Sequence, residues 1–305
     1  MKAFIQRHPV ASYFLLAIVI SWAGIIAIVF PGPIPASPAD AQRLFVPVYL
    51  AMLLGPSVAG LTITAIDGGA AALRAYRERL LAWRVGVGWY VAALLTAPVT
   101  ITLTLLILSA ASPQFVPALL SGEVFQGPAG PIHAASRTGF LLSALAVGVG
   151  AGFFEELGWT GVAVPRMLTR HGLLATGVGV GLVWGAWHFL AIYWGSGDAI
   201  GAVAVPLYLL VALFSFLPPY RILMAWVYRH TRSLFIGILM HASLTSSMLM
   251  LGPAVSGREL LIYDLTLAAT FWVAATVVLA LEARRTRKSA IRVRIDLELA
   301  GTTMR

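Results

Sequence analysis

The chain has 305 residues and no cysteine. That absence excludes a disulfide, a thiolate metal site, palmitoylation and a cysteine nucleophile, so any catalysis must use oxygen or nitrogen groups. Charge is also scarce: Asp, Glu, Lys and Arg make up 11% of the residues, where a soluble domain carries about a quarter. The 21 basic residues outnumber the 12 acidic ones and give a net charge of +9. A surplus of this size can signal nucleic-acid binding, but here Lys and Arg stand in short clusters between apolar segments, as in membrane-protein loops. No nucleic-acid partner is expected. The sequence also lacks an HExxH helix and any visible repeat or inverted half, which counts against a helix-borne zinc motif and against a repeat-built transporter.

What is present is apolar: 59% of residues are hydrophobic, against a usual level of about 45–50%. Runs near 20 residues predict eight spans, at 10–31, 44–66, 87–110, 139–163, 173–195, 203–228, 233–251 and 260–281. The first run is too long for a signal-peptide core of about 7–15 residues and is expected to be a retained span. The connections alternate in charge: Arg74, Arg77, Arg79 and Arg84 in one, Arg166, Arg170 and His171 in another, Arg229 and Arg232 in a third, and "RRTRK" after the last span, with one Arg or none between. The positive-inside rule then puts both termini of this multi-pass membrane protein in the cytoplasm. The Pro- and Gly-bearing loop 111–138 is expected to be an irregular exterior lid or short re-entrant piece, and the charged tail to be soluble. The fold class implied is all-α: a polytopic membrane protein of about eight helices around an intramembrane polar cavity. Its expected divisions are N-terminal helices (1–69), a core (70–251), a last span (252–283) and a basic cytoplasmic tail (284–305).

Ionisable residues inside spans cost at least about 2.5–3.5 kcal/mol each and mark functional sites. They are Glu155, Glu156, His188, Arg221 and His241; Asp264 is expected close enough to a membrane face to be hydrated. Glu155 stands about 12 Å deep at about 1.5 Å per residue, and adjacent helical positions diverge by about 100°, so the two glutamates have different tasks. In "WGAWHFL" His188 follows Trp184 by one turn, and in "LMHASLTSS" His241 precedes Thr245 by one turn, so each pair shares a helix face. Singly, a membrane histidine is more often an interhelical hydrogen-bonder than a catalyst, and paired glutamates can be structural. Two of each favour a cavity with acid–base chemistry. A start of the fifth span near Gly177, rather than Leu173, would bring His188 to the depth of the glutamates and is the expected start.

These stretches carry a resemblance. "EELGWTG…PRML", "WGAWH" and "WVYRHTRSLFIGILMHASLT" resemble, in order, the EExxxR, FxxxH and HxxxN signatures of the type II CAAX prenyl endopeptidase and bacteriocin-processing (CPBP, or Abi) family, and "LLAWRVGVGWYVAALLTAP" resembles the segment before them. The likeness covers about 70–250. It implies an eight-helix intramembrane protease with a cavity open to the cytoplasmic side, acting on lipid-anchored or membrane-embedded peptides, CAAX-type prenylated ones among them, in a setting of membrane lipids. Glu155 would be the general base, His188 its partner in activating water, His241 a holder of the oxyanion, and Glu156 a support. Trp184 replaces the Phe of the second signature, Thr160 the Arg of the first and Thr245 the Asn of the third. Arg221, after "FLPP", has two readings: a substitute counter-charge for Glu156, or a side chain snorkelling about 12 Å to the inner face. The family is described both with and without metal. The expected cofactor is therefore none, or zinc if Glu155, His188 and His241 act as a two-histidine, one-carboxylate set. The competing functions are a catalytically impaired relative serving as membrane scaffold or immunity factor, motivated by Thr160 and Thr245, and a proton-coupled carrier.

Overall fold

A computed structural model describes residues 2–121, 124–127, 130–133 and 136–302. The helices, in chain order, are α1 (Lys2–Arg7), α2 (Pro9–Val29), α3 (Pro38–Leu80), α4 (Val87–Ser109), α5 (Ala118–Ser121), α6 (Arg137–Glu156), α7 (Val164–Leu168), α8 (Leu173–Gly195), α9 (Val205–Phe214), α10 (Leu217–Thr231), α11 (Leu234–Leu251) and α12 (Gly257–Thr302). A π-helical turn, Trp159–Ala163, joins α6 to α7. Eight helical segments are long and apolar enough to cross a membrane, and they match the eight predicted runs. Because lipid cannot satisfy backbone polar groups, helices are the form such runs can take. Large apolar side chains such as Leu15, Val91, Leu106 and Val149 stay on outward faces, as a lipid-facing surface requires. The chain is an all-α, multi-pass membrane protein.

Local chemistry sets the ends of these elements. α2, α3, α9 and α10 begin with Pro in their first turn, where its missing N–H costs nothing. Ser37, Ser136 and Ser233 cap α3, α6 and α11 with their hydroxyls. Within α3, Gly69 adopts φ 58°, ψ −145°, a conformation closed to L side chains, and separates the apolar span from a basic stretch carrying Arg74, Arg77 and Arg79.

Two expectations are corrected. The fifth span begins at Leu173, not near Gly177, because Gly172 takes the extended cap conformation and Leu173 and Thr176 are already buried. Part of loop 111–138 is regular: strands β1 (Val124–Gly127) and β2 (Gly130–His133) pair antiparallel, with Val124 opposite His133 and Gly127 opposite Gly130. After the last span the helical backbone continues to Thr302, since no Pro interrupts it and Gly301 stands only at its end.

Two close contacts set the site. α6 packs on α11 through Gly148 and Gly152: a Cβ on Gly152 would lie 2.5 Å from the Ile238 carbonyl oxygen and 2.7 Å from the Ala242 nitrogen. α8 packs on α10 in the same way, where a Cβ on Gly181 would lie 2.5 Å from Cα of Pro218. Small residues at these spacings let membrane helices approach to backbone contact. The first pair carries Glu155, Glu156 and His241, the second Trp184, His188 and Arg221, so the two interfaces bring the scattered polar residues together. The first span joins the same core, with Tyr13 edge-on to Trp159 at 5.4 Å between ring centroids.

Candidate active site

Glu156 ends α6 fully buried, with both oxygens occupied. Oε1 accepts from Nη1 of Arg221 at 2.7 Å and from Nδ1 of His241 at 2.6 Å, and Oε2 accepts from the Thr160 hydroxyl one turn on. A carboxylate only accepts, so Nδ1 of His241 carries its proton and the ring's Nε2 is directed elsewhere, 3.8 Å from Oε1 of Glu155. Arg221 does not reach for a membrane face. It is fully buried, its guanidinium carbon 3.8 Å from the Trp184 ring centroid, with Nε and Nη2 unpaired among the described residues. A guanidinium on an indole face gains cation–π energy while desolvated.

Glu155 faces the other way, as the 100° step between neighbours requires. Its Oε2 accepts from the indole Nε1 of Trp184 at 2.7 Å and of Trp159 at 3.3 Å, which leaves Oε1 as the less committed oxygen. His188 is half-buried on α8, and its Nδ1 donates to the Trp184 carbonyl at 2.8 Å. Since a carbonyl can only accept, Nε2 of His188 is left unprotonated in the neutral ring and available as a base. Glu155, Trp184, His188, His241 and Thr245 all line one cavity of about 310 Å³. Thr245, one turn beyond His241, has no hydrogen-bond partner among the described residues, so its hydroxyl is free for a ligand.

The family comparison fits the segment that holds this cluster. Residues 137–246 match the family model described as type II CAAX prenyl endopeptidase Rce1-like. That segment is similar to this CAAX protease family. No curated protein matches the chain. The match runs from α6 into α11 and takes in Glu155, Glu156, His188, Arg221, His241 and Thr245. It covers less of the chain than the resemblance of about 70–250 read from the sequence. Within the matched segment the Arg of the first signature is absent at position 160, and Arg221 brings a guanidinium to Glu156 from α10 instead.

Trp184 matters more than its place as an aromatic substitution suggested. Its N–H binds Glu155, its face carries Arg221, and its ring stands edge-on to His188 and His241 at 5.4 and 5.1 Å. Trp159 was not singled out from the sequence, yet it donates to the same carboxylate. The available signal was its position one turn after Glu155.

Asp264, expected in hydrated surroundings, is only 6% exposed and lines the cavity. Distance from a helix end misjudged it, because α12 packs against α9 and α10 and is covered there. As for metal, no group of three His, Asp or Glu is gathered in metal-holding geometry among the described residues. Glu155 and His241 approach to 3.8 Å between Oε1 and Nε2, and Nδ1 of His188 and of His241 is bound to the Trp184 carbonyl and to Glu156.

The cavity has a direction. It extends to Phe45, Gly195, Ala199, Gly252, Pro253 and Leu260, at or near the helix ends that meet the connections 30–37, 196–204 and 252–256. These lie opposite the basic connections after α3, α7 and α10. The resemblance implied an opening on the cytoplasmic side, whereas these lining residues stand at helix ends away from the basic connections.

Proposed function

We propose that the chain is an intramembrane endopeptidase that hydrolyses peptide bonds of lipid-anchored or membrane-embedded proteins or peptides. The observation that carries this reading is a carboxylate and two imidazoles from three separate helices on the wall of one largely apolar cavity. Burial of such groups in a membrane is costly and needs a use. Glu155 takes a proton from water, with Nε2 of His188 as the second acceptor that orients it. The hydroxide attacks the scissile carbonyl carbon. The oxyanion is held by the Thr245 hydroxyl and, in the doubly protonated ring, by Nε2–H of His241. In that form Glu155, Glu156, Arg221 and His241 are neutral as a group, which a low-dielectric site favours. Glu155 then passes its proton to the leaving nitrogen as the C–N bond breaks, giving a carboxylic acid and an amine, with Glu155 again a carboxylate.

The steps above are written with the chain's own residues, in keeping with the absence, among the described residues, of three His, Asp or Glu gathered in metal-holding geometry. Zinc-dependent recovery of a chelator-stripped enzyme would overturn that part. The basic connections support both termini in the cytoplasm, and the resemblance to bacterial members supports an inner-membrane protein. The substrate's scissile bond would then be reached from the opposite side. The test is proteomics of membrane peptides in cells carrying the wild type or Glu155→Gln. Peptides that appear only with the wild type are expected. Identical peptide sets would favour the scaffold or immunity role; against that role stand Arg221, which supplies the charge missing at Thr160, and Thr245, which keeps a free donor.

A further inference from the structure

A second carboxylate of the cavity lies outside the hydrolytic cluster. Asp264 on α12 is more than nine-tenths buried and lines the cavity with Leu260 and Tyr263, yet no hydrogen bond or ion pair reaches it among the described residues. The Tyr263 hydroxyl beside it is also buried without a partner. The cavity wall includes no Lys or Arg, and Arg221 of the hydrolytic cluster is taken up by Glu156 and Trp184. Glu155 receives two indole N–H donors, whereas Asp264 receives none. An unpaired carboxylate withdrawn from water inside an apolar wall has lost its solvation and gained no partner. A cation entering the cavity would restore that partner.

We propose that Asp264 is the recognition group of this cavity for a positive charge on the substrate, a Lys or Arg side chain or a free amino terminus within an otherwise apolar peptide. The inference deepens the peptidase reading by naming its substrate class, and it rests on the cavity being the substrate site. Asp264 stands in the second turn of α12, at the loop end of the cavity, while Glu155 stands at its inner end. The charge would therefore be held away from the bond being cut and nearer the mouth. The family match ends before Asp264, so this preference would belong to the chain rather than to the signatures.

The experiment separates binding from cleavage. Glu155→Gln protein in detergent is titrated with a set of apolar peptides in which a single Lys, or norleucine of similar length, is moved through each position. At one position the Lys peptide is expected to bind at least about tenfold tighter, with the preference lost in Asp264→Asn, kept in Asp264→Glu, and norleucine affinity unchanged. Equal affinities throughout, or a preference that survives Asp264→Asn, would overturn the proposal. Should Asp264→Asn not fold, dodecylamine and dodecanol are compared on the unaltered protein. A higher melting temperature with the amine only is expected, and equal shifts count against Asp264. A Lys preference in a protein that cleaves nothing would leave Asp264 standing and remove the peptidase reading. Cleavage without the preference would do the reverse.

Discussion

Arg221→Met tests the centre of the site. Arg221 and Glu156 are both fully buried, with 2.7 Å between nitrogen and oxygen, and the substitution keeps most of the volume while removing the charge. Breaking a buried pair from one side costs about 3–5 kcal/mol, because the remaining charge is left uncompensated. Glu156 would retain only Thr160 and His241 as donors, and the Trp184 face would lose its cation. If about 3 kcal/mol of this falls on the placement of His241 and Trp184 in the transition state, cleavage drops by more than about 100-fold. The double variant Arg221→Met/Glu156→Gln carries no stranded charge, and its amide oxygen can still accept from Nδ1 of His241. It is expected to recover about 2 kcal/mol or more of the loss. The assay pairs thermal unfolding in detergent with peptide cleavage, as a double-mutant cycle. A single variant with wild-type melting and full cleavage, or a double variant no more stable than the single, refutes the reasoning.

Three further outcomes are expected. Trp184→Phe restores the residue of the family signature but removes an N–H bonded to a carboxylate, worth about 1.5–3 kcal/mol, so cleavage should fall about 10- to 100-fold while Trp159 preserves some of the orientation of Glu155. Gly152→Ala forces α6 away from α11 and is expected to cost about 1–3 kcal/mol of stability together with activity, whereas Val149→Ala on the lipid face should change neither; equal melting curves would contradict the helix contact described. Since the chain has no cysteine, Leu249→Cys in the cavity wall and Arg84→Cys in a basic connection each give a single thiol. A membrane-impermeant maleimide should label the first in right-side-out vesicles and the second only in inverted ones, and labelling of both from one side would refute the direction of the cavity.

The eight spans were legible because each is an apolar run of membrane length, a property of consecutive residues. Glu155, Glu156, His188 and His241 stood out for the complementary reason, as ionisable groups inside those runs. Partnership was harder to read. That Arg221 meets Glu156 depends on how α8 and α10 pack, which leaves a trace only in the spacing of Gly177 and Gly181. The hydrogen bonds of Trp159 and Trp184 to Glu155 were not legible, since their N–H groups have no signature in an apolar span. Asp264 was misplaced because depth along a helix was taken for exposure. Burial is decided by neighbouring helices, and counting residues from an end does not reveal them.

The pairing of Glu156 with partners on α10 and α11 has a consequence for how the protein is made. His241 follows Glu156 by 85 residues. At about 5–20 residues per second the ribosome needs about 4–17 s to deliver it. For that interval α6 exists without its neutralising histidine, and for much of it without Arg221 as well. The two glutamates must wait near the interface, bound to protons or to the insertion machinery, until the later helices arrive. Assembly of the site is thus ordered in time by the chain itself, and a truncation that ends before α10 should leave α6 poorly inserted, however apolar the rest of that helix is.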